Sequence, residues 1–123
     1  MAGSVIIGKN TGFSASGLKL IPIAERTKDV LSRDASEYVE DIYEAYDYQS
    51  MIVLNRQSAE GFMAFYCATV AAYHEFRRDC TARGLESDYI EDISDNWREL
   101  IQLLEEDERF SGRSFFADGK PDA

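Results

Sequence analysis

Residues 58–82 constrain this sequence more than any other stretch, because a helix through them would be apolar almost all round. Phe62, Phe65, Tyr66, Thr69, Tyr73, Phe76 and Cys80 fall on one face at helical spacing, with Ala64, Ala68, Ala71 and Ala72 opposite. Such a helix is stable only when other elements surround it, so it predicts the centre of a core. The alanines leave room for a second backbone to approach. Ser58 is placed to cap its start and Gly84 to stop it.

A second amphipathic pattern starts at Ser87. Ile90, Ile93, Trp97, Leu100, Ile101 and Leu104 form an apolar stripe that continues to about Arg109. Upstream, Asp34 followed three residues later by Glu37 reads as a capping box, and Val39, Ile42, Tyr43 and Tyr46 follow at helical spacing. Met51-Ile52-Val53-Leu54 suits either an extension of that helix or a short strand, with helix favoured. The first 23 residues differ in kind. Val5-Ile6-Ile7 and Leu18-Lys19-Leu20-Ile21 are β-prone and flank the turn-rich stretch from Gly8 to Gly17, which predicts a hairpin or an extended arm ended by Pro22. A short helix from Ala24 to Ser32 would then present Val30 and Leu31.

The expected fold is mainly α: a compact bundle of three principal helices with an N-terminal β-hairpin or extended arm, α+β being the alternative. At 123 residues the chain reads as a single domain, 1–123, with the hairpin or arm at 1–23, a helical core at 34–110 and a loosely held tail at 111–123. Phe115 and Phe116 are candidates to dock that tail.

Charge is distributed unevenly. Residues 1–33 carry five bases and two acids, whereas residues 34–56 carry six acids against Arg56 alone, and residues 86–108 carry ten acids against Arg98 alone. The whole chain has a net charge of −10. Turning each residue by about 100° along a helix places Glu37, Glu40, Asp41, Glu44 and Asp47 opposite the Val39/Ile42/Tyr46 stripe, with Tyr48 among them. It places Asp88, Glu91, Asp92, Asp95, Glu99 and Glu106 opposite the Ile90/Trp97/Leu104 stripe. Neither face offers an i,i+4 basic partner, so like charges repel by a few tenths of a kcal/mol per pair. A solvated face that maintains solubility is the plain account of such a pattern. The functional account is a surface complementary to a basic cleft on another protein. The candidate partner-binding residues are Glu40, Asp41, Glu44, Asp47, Tyr48, Asp88, Glu91, Asp92, Asp95 and Glu99.

Patterns that would carry chemistry are incomplete. Gly3 to Asn10 matches seven positions of a phosphate-binding loop, but Asn10 stands where Ser or Thr would hold magnesium, and no helical pattern follows. His74 is the only histidine and is expected to be a hydrogen-bonded core residue. Cys67 lies seven residues away, about 10 Å along a helix, too far for a Cys–His nucleophile. One histidine without a Cys-x-x-Cys pair does not make a zinc site. Expectations are therefore no enzymatic activity, no cofactor and no metal. The field disfavours direct contact with nucleic acid or anionic lipid. No apolar run approaches the ~20 residues that span a bilayer. No signal-peptide pattern opens the sequence, so a cytoplasmic location with reduced Cys67 and Cys80 is expected.

These features point to a non-catalytic acidic inhibitor, foremost a bacterial immunity protein or antitoxin that occludes a cognate toxin bearing a basic active-site or nucleic-acid-binding cleft. The alternatives are a phage-encoded anti-defence inhibitor, anti-CRISPR-like or a DNA mimic, and a small ligand-binding or assembly subunit. A ligand-binding protein would use a pocket near His74 and Cys67.

Overall fold

The structure, a computed structural model, describes residues 2–117. The chain runs β1 (Ala2–Ile6), β2 (Gly12–Ser16), α1 (Gly17–Asp34), a 3-10 turn (Ser36–Tyr38), α2 (Val39–Tyr43), α3 (Tyr46–Gln49), β3 (Met51–Val53), α4 (Ala59–Ala82) and α5 (Ser87–Glu105). It is a mainly α fold with an N-terminal β-hairpin, and its three long helices are α1, α4 and α5. Among the described residues, no helix is long and apolar enough to cross a membrane.

α4 is the central helix. Phe62, Phe65, Tyr66, Thr69, Tyr73, Phe76 and Cys80 are all buried, and α1 and α5 pack against it. Ser58 accepts a hydrogen bond from the Gly61 amide at 3.1 Å, and Gly84 turns the chain away at φ +70°. On α5 the whole expected stripe is buried. Trp97 is fully enclosed, its indole N–H donating to the Thr69 carbonyl at 3.1 Å and its ring lying 5.2 Å from Phe76. One flank of α4 departs from the expectation: Cys67 and His74 are exposed, and Met63 and Val70 are half-buried. His74 is thus a surface residue, lying against Tyr73 and Phe115, and not a core histidine.

The N-terminal third is built differently from its sequence reading. A hairpin forms, but its second strand is Gly12–Ser16, inside the stretch read as a turn, and Val5 pairs with Phe13 across it. Both of those side chains are buried, and that shared apolar face sets the register. Leu18 to Ile21 are helical, because α1 starts at Gly17 and runs through Pro22. A proline there removes one hydrogen bond to the carbonyl of Leu18. Leu18 is 85% exposed, so water can take the vacated place. α1 in turn buries Leu20, Ile23, Ala24, Thr27, Val30 and Leu31, a longer inward face than Ala24–Ser32 alone would supply.

The helix expected after Asp34 is broken into three short pieces. Asp34 ends α1 rather than capping a new helix, and Ala45, at φ −91° and ψ 0°, separates α2 from α3. Met51–Val53 forms a strand, not a helix. Ser50 adopts the left-handed conformation at φ 53°, which closes α3, and β1 offers a parallel partner, with Val5 opposite Ile52. The sheet order is β2-β1-β3.

Beyond α5 the chain is pinned. Arg109 donates to the carbonyls of Ile7 (2.7 Å), Leu54 (2.7 Å) and Gln57 (3.0 Å), pairs with Asp107, and lies 4.4 Å over the Phe62 ring. One guanidinium thereby ties the hairpin and the end of β3 to the end of α5. The Glu105 carboxylate accepts from the Tyr66 hydroxyl (2.6 Å), the Ser114 hydroxyl (2.5 Å) and the Phe115 amide (2.7 Å). Ser114, Phe115 and Phe116 therefore dock on the body, residues 111–113 are exposed, and the rest of the tail, 118–123, lies outside the described residues.

Candidate protein-binding surface

α2 and α3 rest on the protein through Ile42 and Tyr43, both buried, and the Tyr43 hydroxyl donates to the Ala24 carbonyl of α1 at 2.8 Å. With the apolar side chains committed inward, Glu40, Asp41, Glu44, Asp47 and Tyr48 all face solvent. Asp41, Glu44 and Tyr48 converge on a cleft of about 350 Å³, completed by Ala45, Gln49, Val53 and Arg56. Glu40 and Asp47 lie on the same short elements but outside its lining. Among the described residues, none of Glu40, Asp41, Glu44 and Asp47 has an ion pair. Tyr48 is 90% exposed, the most exposed large hydrophobic side chain described.

The acids of α5 are placed otherwise. Glu91 is bridged by Arg77 of α4 at 2.9 Å and by Arg98 at 3.7 Å, and Arg98 also pairs with Asp95. The hydrogen bond from Arg77 is the main cause that lowers the Glu91 carboxyl below its ordinary value. Arg77 further donates to Ser94 at 2.8 Å, and Arg98 to the Tyr73 hydroxyl at 2.6 Å. Two of the ten candidate residues are thus ion-paired: Glu91 joins α5 to α4 through Arg77, and Asp95 pairs with Arg98 within α5, partners that come from another helix or from i,i+3 spacing and not from the i,i+4 positions. Asp88, Asp92 and Glu99 are exposed. The two acidic regions also rest on different parts of the sheet: α2 and α3 on β3, α5 on β2. Those strands are its opposite edges.

Arg56 and a second cleft were not evident from sequence. Gly3, Ser16, Gly17, Leu18, Leu20, Ile21, Tyr46 and Ser50 enclose about 330 Å³ of mainly apolar space between the start of α1 and α3. Leu18 and Ile21 stand out from it, 85% and 53% exposed. Burial, and secondly a hydrogen bond with Glu25, push the Tyr46 phenol up to about 12. The signal in the sequence was the apolar run broken by Pro22, which fits an exposed first helical turn as well as a strand.

Among the described residues, no group of three or more His, Cys, Asp or Glu is arranged to hold a metal ion. Neither a family model nor a curated protein matches the sequence. Among solved structures, a chain of the complex between a CdiA-CT toxin from Burkholderia pseudomallei E479 and its cognate CdiI immunity protein superposes with a TM-score of 0.68. The match covers 89% of this chain and 99% of that one, at 19% identity. The likeness is one of fold: the present chain shares its architecture with one member of a toxin–immunity pair.

Proposed function

We propose that this chain is an immunity protein, which binds a cognate toxin and blocks it by occlusion and charge, with no chemistry of its own. The observation that carries this reading is the shared fold with a member of a toxin–immunity complex. That complex holds two proteins, and the surface of this chain supports the inhibitory role. A net charge of −10 and an outward acidic cleft beside an exposed tyrosine suit a cation-lined partner. Asp41 and Glu44 would meet Lys or Arg at the rim of the toxin's active site, and Tyr48 would seat as an aromatic anchor of the kind enriched in binding hot spots. Asp88, Asp92 and Glu99 would add to the field that speeds encounter, with Glu40 and Asp47 at the margin of the contact. A protein that meets its toxin where the toxin is made would work in the cytoplasm.

The test is co-production with the polypeptide encoded beside this gene, since an immunity gene sits next to its toxin. The expected result is relief of growth arrest and a stable complex on gel filtration. Persistent arrest with no complex would overturn the reading.

A further inference from the structure

The geometry points to a two-part docking site astride α3, in which the apolar cleft of Leu18, Ile21 and Tyr46 takes a bulky aliphatic or aromatic side chain of the same toxin whose basic groups enter the acidic cleft. This inference rests on the immunity reading and specifies how the partner must be built.

α3 is only four residues long, Tyr46–Gln49. Tyr46 lines the apolar cleft, while Tyr48 and Gln49 line the acidic one, so one turn of helix is the wall between them. A helix with its side chains is about 10 Å across. A typical interface covers about 800 Å² on each partner, a patch roughly 30 Å wide. One partner surface therefore spans both clefts.

The walls favour a macromolecule over a small ligand. Leu18 and Ile21 project outward instead of folding over the cavity, and Leu18 would remain wet beside a small molecule seated at the base. A partner's surface laid across α3 would bury them together with Tyr48. The lining of the apolar cleft contains no ionisable group except the Tyr46 phenol, so it offers nothing to a cation. Asp41 and Glu44 across α3 do, and charge complementarity therefore fixes the occupant as an apolar anchor with Lys or Arg about 10 Å away. The division of labour follows: acids set the rate of encounter, and desolvated apolar contacts set how long the complex lasts.

The probe is the neighbour-encoded toxin domain, catalytically inactivated, measured against the unaltered chain, Leu18→Ser with Ile21→Ser, and Asp41→Lys with Glu44→Lys. Both serine sites are exposed, and an unchanged thermal transition checks that folding is intact. The serine variant should dissociate at least tenfold faster, with association and salt dependence unchanged, while the lysine variant should associate more slowly and lose its salt dependence. If the unaltered chain binds and the serine variant binds equally well, this inference falls while the immunity reading stands. No binding by the unaltered chain overturns both. A concentration-dependent dimer of the unaltered chain that the serine variant abolishes makes a second copy the occupant and overturns the toxin assignment.

Discussion

Glu91 and Asp95 of α5 end at the guanidinium groups of Arg77 and Arg98, whereas Asp41 and Glu44 around α2 end at an open cleft whose lining base is Arg56. Both regions look alike on a helical projection of the sequence. The difference arises from what stands across from each. α5 packs along α4, whose Arg77 reaches over the seam, while α2 and α3 lie on the short strand β3 and look outward. Carboxylate density alone therefore does not mark a binding surface. What marks one is acids that no ion pair ties to the elements beneath them.

This comparison can be broken or sharpened by substitution. The largest effect is expected at the root of α5. Trp97→Ala should cost about 3–5 kcal/mol in denaturant unfolding, because it empties a fully enclosed site and orphans the Thr69 contact. A loss under about 1 kcal/mol would mean that Trp97 does not anchor α5 on α4. Next, Tyr48→Ala should leave the unfolding transition in place and weaken binding to the proposed toxin partner about tenfold or more, a shift of about 1.4 kcal/mol. Equal losses of folding and binding would erase the contrast between the two regions. Glu91→Gln should cost less than about 1 kcal/mol of stability, since the pair is half exposed and screened by salt. It should leave toxin association nearly unchanged, whereas Asp88→Lys with Asp92→Lys should slow association severalfold at low salt only.

A smaller, pH-dependent effect is expected at Asp107, away from both regions. Hydrogen bonds from Arg109 hold its carboxyl below the ordinary 3.8, so its stabilising contribution is present above that value and is lost as pH falls below it. The stability difference between the unaltered chain and Asp107→Asn should accordingly shrink on acidification below 3.8, measured by urea unfolding across pH. A difference that grows with acid would contradict the Arg109 pairing.

Legibility in the sequence followed local self-sufficiency. α4 and α5 could be read because their stripes, the Ser58 cap and the Gly84 stop all agree. The exposure of Tyr48 followed from the same projection. What could not be read depended on distant partners. Ile52 and Val53 become a strand only because β1 presents an edge for parallel pairing. Gly12–Ser16 looks like a turn until Phe13 finds Val5. Pro22 looks like a terminator until the inward face of α1 outweighs one lost hydrogen bond. The pairing of Arg77 with Glu91 likewise requires knowing that α4 and α5 run side by side, which no window of sequence contains, whereas the i,i+3 pair of Arg98 with Asp95 lies within α5 itself.

The crossover from Ala35 to Ser50 is clamped midway, where the Tyr43 hydroxyl bonds to α1, and at its end by the bond from the Ser4 amide to the Ser50 carbonyl, at 3.0 Å. Along this stretch Ile42 and Tyr43 are buried, and Tyr38, Val39 and Tyr46 are half-buried against the core. The exposed positions of such a stretch can be rewritten while those inward side chains keep the scaffold underneath in shape. A lineage pressed to recognise a changed adversary would thus have an exchangeable cassette, and grafting a foreign stretch between the two clamps is a direct route to redirecting what this scaffold recognises.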